Sequence, residues 1–338
     1  MTPADESSAE ATTEVRLRIA VPEDAPLVLD VIHRAFGARP AVDPPADALG
    51  DTVEDVVARM ETGETILAEV DGHPAASLVV SDPVPGSGMG REQDRVAGIH
   101  RVSVLPGFRQ VGLAGRIIRA AILMAVDLDA THIELLSRRE FPQNRHLWES
   151  HGFQADREVE LGWIMRRELP VRELAASREE MQALGSRIAR VLRPGDLVIA
   201  SGGLGAGKTT LTQGLAEGLD VEGSVISPTF VISRIHRSRS GGPDLVHVDA
   251  YRLGSAVEVE DLDLAASAPN AITLVEWGVG MAEGLSDSAL RIDIQRSPDP
   301  EDETRTVLIW GEGQRWVHDS LREALAGAGS HNNHRGRA

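Results

Sequence analysis

The sequence predicts two consecutive α/β domains, the second of which is built on a mainly parallel sheet. The length of 338 residues suits two domains of ordinary size. Residues 196–200, DLVIA, are typical of a short buried strand, and a glycine-rich loop joins them to a helical pattern over residues 208–219. Pro170 and a helix-start signal at residues 177–180 separate this pattern from an earlier set of strands and helices. We therefore expect a mixed α/β domain followed by a strand–loop–helix domain.

The loop at residues 201–210, SGGLGAGKTT, contains the phosphate-binding pattern G-x-x-x-x-G-K-[ST]. Its glycines allow successive backbone N–H groups to face a phosphate, and the helix that follows adds its N-terminal dipole. Lys208 is the only lysine in a chain that otherwise uses arginine. Its ammonium would contact the outer phosphates of a nucleotide, and the Thr209 hydroxyl would bind Mg²⁺.

Composition excludes several classes of protein. The formal net charge is −18, which excludes a general basic surface for nucleic acid. The chain has no cysteine, which excludes disulfides and thiolate metal sites. No apolar run is long enough to span a membrane, and the acidic N-terminus does not resemble a targeting peptide. We expect a cytoplasmic protein that would reach RNA only through a partner.

The pattern of elements sets the expected boundaries. From the N-terminus, a disordered tail, a first domain, a second domain and a polar tail are expected over residues 1–14, 15–168, 171–326 and 327–338. In the first domain, Asp71-Gly72 marks a β-hairpin between two apolar runs. A strand over 97–104 and a helix over 112–128 flank a second glycine-containing loop. Residues 311–326 predict a late turn and helix.

Three stretches after the phosphate loop carry hydroxyl or carboxylate groups that suit nucleotide chemistry. Thr229, in the sequence VISPTF, would sense a γ-phosphate or its Mg²⁺, although an ordinary Ser-Pro turn fits equally well. Asp249 and Glu276 each end an apolar strand, and such carboxylates point into the ligand crevice of a parallel sheet. Spacing alone also fits an Asp249 that caps the next turn, and many strands end in Glu.

Together, GGLGAGKTT, SPTF, HVDAYRL and VEW occur in the order and approximate spacing of the TsaE (YjeE) family, which residues 171–320 resemble. Members of this family are the ATPase subunits of the bacterial tRNA threonylcarbamoyladenosine system. The resemblance implies ATP hydrolysis with Mg²⁺, in a complex with TsaB- and TsaD-type subunits that modify adenosine 37 of tRNA. The phosphate-binding residues that it implies are Gly202, Gly205, Ala206, Gly207, Lys208, Thr209 and Thr210.

The same resemblance implies roles for residues beyond the loop. Thr209 and Glu276 would hold Mg²⁺, directly or through water, and Asp249 would support the metal or the attacking water. Thr229 would be the switch threonine, and Trp277 would lie beside the nucleotide. The residues that would carry the chemistry are Lys208, Asp249, Glu276 and Thr229.

Two positions depart from the family pattern. The family commonly has Asp where this chain has Gly203, and Pro often follows the Glu-Trp pair where this chain has Gly278. Backbone amides bind phosphate without that Asp, so we expect phosphate binding to persist. Any tuning of hydrolysis by the missing carboxylate is in question.

The glycine-containing loop of the first half resembles a coenzyme A loop. The pattern R-x-x-G-x-A at residues 109–114 follows the strand pattern V-x-V-x-P at residues 102–106. Together with the later segment 144–153, these patterns resemble the GNAT superfamily of N-acetyltransferases over residues 15–168. The resemblance implies that backbone N–H groups at a helix start bind the pyrophosphate of acetyl-CoA. The residues that it implies for acetyl-CoA are Val104, Arg109, Gln110, Val111, Gly112, Leu113, Ala114 and Asn144.

Catalysis by this first domain is an open question at this point. GNAT enzymes usually protonate the departing thiolate with a tyrosine, but this chain has Trp148 at that position. An indole does not return a proton. Water, His151 or Glu149 would have to substitute, or the domain transfers slowly or not at all. His100 is a candidate base for the amine, and a structural strand histidine is the commoner alternative.

Two other functions stay open from the sequence. A small-molecule kinase uses the same phosphate loop but needs an acceptor pocket and usually an arginine-bearing lid, for which residues 234–239 are the nearest candidate. The order of the SPTF, DAYRL and EW motifs favours the ATPase. The second alternative is a non-catalytic N-terminal module that senses CoA or docks a partner, and Trp148 motivates it.

Overall fold

A computed structural model describes most of the chain. The described residues are 14–86, 94–109, 112–228, 231–260, 262, 268–316 and 321–330, with side chains of the last helix to residue 326. Three predicted site residues, Thr229, Gln110 and Val111, lie outside this range, as do residues 1–13 and 331–338 of the two expected tails. The chain forms two compact units that meet between Leu169 and Pro170. No helix in the described ranges has the length and apolar character needed to cross a membrane.

The first unit is a mixed sheet with helices. Its strands are β1 Val15–Ile19, β2 Gly63–Val70, β3 His73–Ser81, β4 Val84–Pro85, β5 Arg95–Val104, β6 His132–Arg138, β7 Gln154–Val159 and β8 Gly162–Glu168. Its helices are α1 Ala25–Gly37, α2 Val53–Glu61, α3 Leu113–Asp127 and α4 Pro142–Glu149. The strand order is β1-β2-β3-β5-β6-β8-β7, with β4 beside β5. The predicted hairpin at Asp71-Gly72 joins β2 to β3, with both residues at positive φ.

The two central strands of this sheet separate toward one end. β5 and β6 are parallel, and their pairing covers only Val96–Gly98 against His132–Glu134. The rest of β5, up to Val104, pairs with β3 along its other edge. Antiparallel strands direct alternate backbone groups to opposite edges. The diverging ends therefore leave an edge of β5 that protein side chains or a ligand can reach.

The second unit is built on a seven-stranded sheet. Its strands are β9 Val171–Ala175, β10 Leu197–Gly202, β11 Ser233–His236, β12 Asp244–Asp249, β13 Ala271–Glu276, β14 Ala289–Arg296 and β15 Arg305–Glu312. Its helices are α5 Arg178–Ala189, α6 Lys208–Gly218, α7 Ala256–Glu260 and α8 Leu321–Ser330. The strand order is β11-β12-β13-β10-β14-β15-β9. The inner strands β12, β13, β10 and β14 are parallel, and the outer strands are antiparallel.

The structure adds features that the sequence patterns did not specify. β9 immediately follows Pro170 and pairs with β15, so the unit begins with an edge strand before the expected helix. Only a short 3-10 turn, Glu283–Leu285, lies between β13 and β14, where a regular β/α alternation was expected. Residues 311–312 belong to β15, and α8 runs to Ser330, past the expected start of the polar tail.

Close contact between α5 and α6 fixes the helix that follows the phosphate loop. Gly185 of α5 lies against the Leu211 backbone, and Gly214 of α6 lies against the Gln182 backbone. A Cβ at either glycine would overlap the facing carbonyl oxygen. Helices approach this closely only where one partner has no side chain, so the two glycines set the position of α6.

Gly214→Ala is expected to destabilise the second unit by about 2 kcal/mol or more, because the added methyl must force the two helices apart. Chemical denaturation of the full chain measures this change. Gly242→Ala is the matched control, because its added Cβ would meet only serine hydroxyls at 3.5 Å or beyond. Equal unfolding midpoints for the two variants would contradict the packing account.

Candidate functional site

Three parallel strands of the second unit end side by side. Ala200 of β10 and Asp249 of β12 are both in register with Glu276 of β13. Registered residues of parallel strands project to the same face, so the two predicted carboxylates lie next to each other. Asp249 and Glu276 are only 3% and 2% exposed. Open α/β sheets bind their ligands at these carboxyl ends of the parallel strands.

The phosphate loop leaves this edge through glycines in conformations that other residues rarely adopt. The φ angles of Gly202, Gly205 and Gly207 are 137°, 72° and 114°. Gly207 is the residue at which α6 begins, and Thr210 lies in the first turn. Ala206 is buried beneath the loop and donates its N–H to the Gly203 carbonyl oxygen at 3.1 Å. The loop thus presents backbone N–H groups around a helix start.

The Lys208 ammonium folds back over its own loop. Its Nζ donates to the carbonyl oxygens of Gly202 and Gly203 at 2.8 and 3.0 Å, and lies 3.8 Å from the centre of the Trp277 ring. Burial lowers the pKa of this ammonium, and the charges of Glu276 and Asp249 oppose that shift. Its hydrogen bonds go to neutral carbonyls, which a phosphate would replace with stronger, charge-assisted bonds.

Within the described residues, three side chains lie at hydrogen-bond distance from the Glu276 carboxylate. The Thr209 hydroxyl lies 3.1 and 3.2 Å from the two carboxylate oxygens. The Thr212 hydroxyl lies 3.4 Å from Oε1, and Nε2 of His247 lies 2.9 Å from the same oxygen. A carboxylate that is removed from water needs such partners.

Asp249 organises the turn that follows β12. Its Oδ2 accepts from the Ser227 hydroxyl at 2.8 Å, and its Oδ1 accepts from the Tyr251 N–H at 3.0 Å. Asp249 therefore caps the next turn, which is the alternative that its spacing left open. It also lies beside Glu276 at the ends of the two strands. Ser227 belongs to the SPTF motif, so this contact joins that segment to the carboxylates.

Trp277 directly follows β13 and forms a tight turn beside the site. Its φ angle is 61°, its N–H donates to the Ala200 carbonyl oxygen at 3.0 Å, and its ring lies 5.2 Å from that of Tyr251. Gly278 follows without room for a side chain, because an added Cβ would lie 2.8 Å from Cγ1 of Val275. A proline would bring that same Cβ, which explains why glycine fits here.

The donor set around Thr209 and Glu276 fits Mg²⁺. It consists of a hydroxyl and a carboxylate, and hard cations of this kind prefer oxygen ligands. Across the described ranges, no three His, Cys, Asp or Glu side chains gather as a metal site. Mg²⁺ commonly takes one or two protein ligands together with phosphate oxygens and water, so the two findings are compatible.

Sequence reasoning missed His247 and Thr212 as members of this cluster. Thr212 is buried one turn after Lys208, to whose carbonyl oxygen its hydroxyl also donates at 2.9 Å. His247 is fully buried and precedes Asp249 by two residues on the same strand. Because side chains alternate along a strand, His247 and Asp249 lie on the same face of β12. A histidine two positions before a strand-end Asp was therefore the signal available in the sequence.

In the first unit, two arginines meet at the exposed edge of β5. Arg39 donates to the Val102 carbonyl oxygen at 2.7 Å, and Arg109 contacts the carbonyl oxygens of Val104 and Ala35 at 3.4 Å. Burial, together with the Arg109 charge, lowers the pKa of Arg39 to about 10. Among the contacts of the described residues, both guanidinium groups bond to carbonyls and not to carboxylates. Sequence reasoning had selected Arg109 and missed Arg39.

The remaining predicted acetyl-CoA residues lie at helix starts. Gly112 has φ 70° and begins α3, and Leu113 and Ala114 form its first turn. Asn144 lies in the first turn of α4 and donates its N–H to the Phe141 carbonyl oxygen at 3.0 Å. Val104 ends β5 directly before the loop. The first turn of α3 has N–H groups without partners inside the helix, as an anion site at a helix start requires.

Trp148 is a core residue. It is 6% exposed and packs edge-on against Phe153, with ring centres 5.5 Å apart. Glu149 is held in an ion pair with Arg145 at 2.7 Å on the outer side of α4. His151 bonds through Nδ1 to the Leu147 carbonyl oxygen at 2.8 Å, which requires the proton on Nδ1 and leaves Nε2 facing Gly115 of α3.

His100 lies on β5 and is exposed at the surface. Partial desolvation, followed by the charges of Arg101 and Arg59, lowers its pKa, so the neutral form of the imidazole is favoured. That form has a free lone pair, as a base for an amine requires. Its position therefore leaves both interpretations of this residue open.

These arrangements define the second unit as a P-loop α/β domain and the first as a mixed α/β domain in which Gly112 lies between strand β5 and helix α3. Residues 175–307 match the family model "Threonylcarbamoyl adenosine biosynthesis protein TsaE", and residues 34–153 match "Acetyltransferase (GNAT) family". The chain belongs to the TsaE family and carries an N-terminal GNAT domain, so both resemblances predicted from the motifs are confirmed.

Two TsaE relatives, both covered over most of their length, agree with the assignment of the second unit. The "tRNA threonylcarbamoyladenosine biosynthesis protein TsaE" of Streptomyces coelicolor is 56% identical over 139 residues, which cover 40% of this chain and 94% of that protein. The protein of the same name from Bacillus subtilis is 41% identical over 139 residues, or 41% of this chain and 84% of the relative. The PaiA N-acetyltransferase of Thermoplasma acidophilum, solved with coenzyme A, has a TM-score of 0.39 and 11% identity, covering 46% of this chain and 99% of its own.

Gly207→Ala is expected to weaken ADP binding by about tenfold or more, because an L-residue does not tolerate φ 114° without strain of about 1–2 kcal/mol. Gly203→Ala is the matched control in the same loop, because its Cβ would meet no atom within 4 Å. Isothermal titration with ADP measures both affinities. Similar affinity of Gly207→Ala and the parent chain would show that the glycine conformation is not needed for binding.

Proposed function

We propose that the second unit is a Mg²⁺-dependent ATPase for the biosynthesis of N6-threonylcarbamoyladenosine at position 37 of tRNAs, acting with TsaB- and TsaD-type subunits. The main support for the proposal is a cluster at the carboxyl ends of the parallel strands. There the Lys208 loop, Thr209 and the buried Glu276 lie together. The names of the relatives support the pathway. The net charge of −18 favours contact with tRNA through partners. The cytoplasmic location remains a prediction.

Each side chain of the cluster has a distinct task in this proposal. The Lys208 ammonium exchanges its carbonyl partners for phosphate oxygens, and the loop N–H groups bind the same phosphates. Asp249 and Glu276 supply negative charge that orients an attacking water. Trp277 packs over Lys208 and limits access of bulk water to the phosphates.

Thr209 and Glu276 are the residues that would hold Mg²⁺, directly or through water. Bound there, the ion would offset the negative charge of the transferring phosphoryl group. The hydroxyl and the carboxylate face each other at hydrogen-bond distance, so both are placed to share one cation.

For the first unit we propose a narrower function, the binding of acetyl-CoA. Arg39 and Arg109 place two positive charges beside the edge of β5, and Gly112 opens α3 with its N–H groups toward the same place. Trp148 is buried against Phe153 and has no proton to give a thiolate. Glu149 is ion-paired on the outer side of α4, and the Nδ1 proton of His151 is donated to the Leu147 carbonyl oxygen, so neither residue is placed to protonate a thiolate. A CoA-sensing module without transfer remains the alternative.

Lys208→Ala and Glu276→Gln are each expected to lower ATP turnover by about 100-fold or more, because each removes a charged group from the phosphate site. Phosphate release by the full chain with its partner subunits measures turnover. Glu312→Gln is the control, because Glu312 is exposed, pairs with Arg291, and lies beside Ala289 at the opposite end of the sheet from the phosphate loop. Turnover by the Lys208 variant at the parent rate, or a phosphorylated metabolite in place of free phosphate, would contradict the ATPase assignment.

Arg39→Gln is expected to weaken CoA binding by about tenfold, because a charge-assisted bond to a phosphate contributes about 1.5–3 kcal/mol. Arg34→Gln is the control, because Arg34 is exposed near the end of α1, five residues before Arg39, and pairs with Asp30. Isothermal titration with CoA compares the two variants with the parent chain. Unchanged CoA affinity of Arg39→Gln would show that this arginine serves only the β5 carbonyl.

A further inference from the structure

His247 contacts the centre of the nucleotide site from inside the sheet. It lies in β12 between the buried residues Val246 and Val248, and its side chain is 0% exposed. Its Nε2 lies 2.9 Å from Oε1 of Glu276, which is the shortest hydrogen bond of that carboxylate among the described residues. Because a carboxylate only accepts, this nitrogen carries the proton and donates it.

Sheet geometry fixes this contact. His247 is in register with Leu274, and Asp249 is in register with Glu276 on the neighbouring parallel strand. His247 precedes Asp249, the registered neighbour of Glu276, by two residues. It therefore contacts Glu276 diagonally across the two strands. Side chains two residues apart share a face of the sheet, so both lie on the side where α6 packs.

The two oxygens of Glu276 differ in their partners. The single Thr209 proton is shared between the two oxygens, at 3.1 and 3.2 Å. Oε1 has a further donor of its own in the His247 N–H at 2.9 Å, while the Thr212 hydroxyl, which donates to the Lys208 carbonyl oxygen, lies 3.4 Å from it. Within the described residues, Oε1 is thus the oxygen that the protein holds. Oε2 and the Thr209 hydroxyl keep capacity for a further ligand.

We propose that His247 is a positioning residue, which anchors Oε1 of Glu276 so that Oε2 and the Thr209 hydroxyl are directed together at the metal and phosphates. This inference rests on the proposed nucleotide function. It assigns His247 no contact with substrate, and its effect passes entirely through the carboxylate.

Packing alone does not account for a histidine at this position. Nδ1 of His247 is buried and has no hydrogen-bond partner among the described side-chain and backbone groups. Burial of an unsatisfied ring nitrogen costs free energy that an apolar side chain of similar size would avoid. The bond from Nε2 to Glu276 is the polar contact that offsets this cost.

The test compares three substitutions in the full chain: His247→Gln, His247→Asn and His247→Leu. Glutamine extends an amide donor as far as the imidazole Nε2, asparagine is polar but too short, and leucine keeps bulk without a donor. Three quantities are measured for each variant: kcat with partner subunits, ADP affinity with and without Mg²⁺ by titration calorimetry, and the melting temperature. Binding of ADP with and without Mg²⁺ needs no hydrolysis.

For the Asn and Leu variants, kcat is expected to fall by about 10- to 100-fold. The factor by which Mg²⁺ strengthens ADP binding is expected to fall by a similar amount. Changes in groups that orient metal ligands typically have effects of this size. The ADP affinity of these variants without Mg²⁺ is expected to stay within about twofold of the parent value, and Gln is expected to recover most of both losses. If Leu does not fold, Asn and Gln alone give the same comparison.

The positioning role is overturned if folded Asn or Leu variants keep the parent Mg²⁺ dependence of ADP binding, or if Gln is as impaired as Asn at an equal melting temperature. A failure of the proposed ATPase function is recognised separately. In that case the parent chain itself releases no phosphate above the level of Lys208→Ala, while the effect of His247 on Mg²⁺-dependent ADP binding is still measured.

Discussion

Glu276 is a buried negative charge, and the arrangement of the nucleotide unit follows from the need to satisfy it. A carboxylate that is 2% exposed must have hydrogen-bond donors, and these come from Thr209 and Thr212 of α6 and from His247 of β12. The donors tie the helix after the phosphate loop to two strands of the sheet. Close contact between α5 and α6 through Gly214 holds that helix in place, so the loop, the hydroxyl and the carboxylate are fixed relative to one another.

The GNAT unit has a similar arrangement of a glycine, a helix start and cationic side chains, but with different residues. Here the phosphate-binding loop also begins a helix at a glycine with positive φ, Gly112, but the charged side chains beside it are arginines. Arg39 and Arg109 bond only carbonyls in their described contacts, and their mutual repulsion contributes to the lowered pKa of Arg39. An anion beside them would relieve this repulsion. Both units therefore combine a glycine with positive φ before a helix with cationic side chains nearby.

The sequence predicted the parts of the sites that follow from local pattern. The loop, with Lys208 and Thr209, is contiguous, and Asp249 and Glu276 end apolar runs, so simple strand geometry brings them together. His247 and Arg39 escaped prediction because their roles depend on register across strands and on the end of a separate helix. The edge strand β9 is too short to show a pattern of its own. Burial of Trp148 against Phe153 also depends on tertiary packing.

The central claim is that Glu276 and its neighbours drive an ATP-dependent step in tRNA modification. The most direct measurement is multiple-turnover threonylcarbamoylation of tRNA adenosine 37 by TsaB- and TsaD-type subunits, with this chain added as the parent or as Glu276→Gln. The account predicts repeated turnover only with the parent chain and ATP, and none above background with the variant or with a non-hydrolysable ATP analogue. Equal product formation with the parent chain, the variant and no added chain would contradict it.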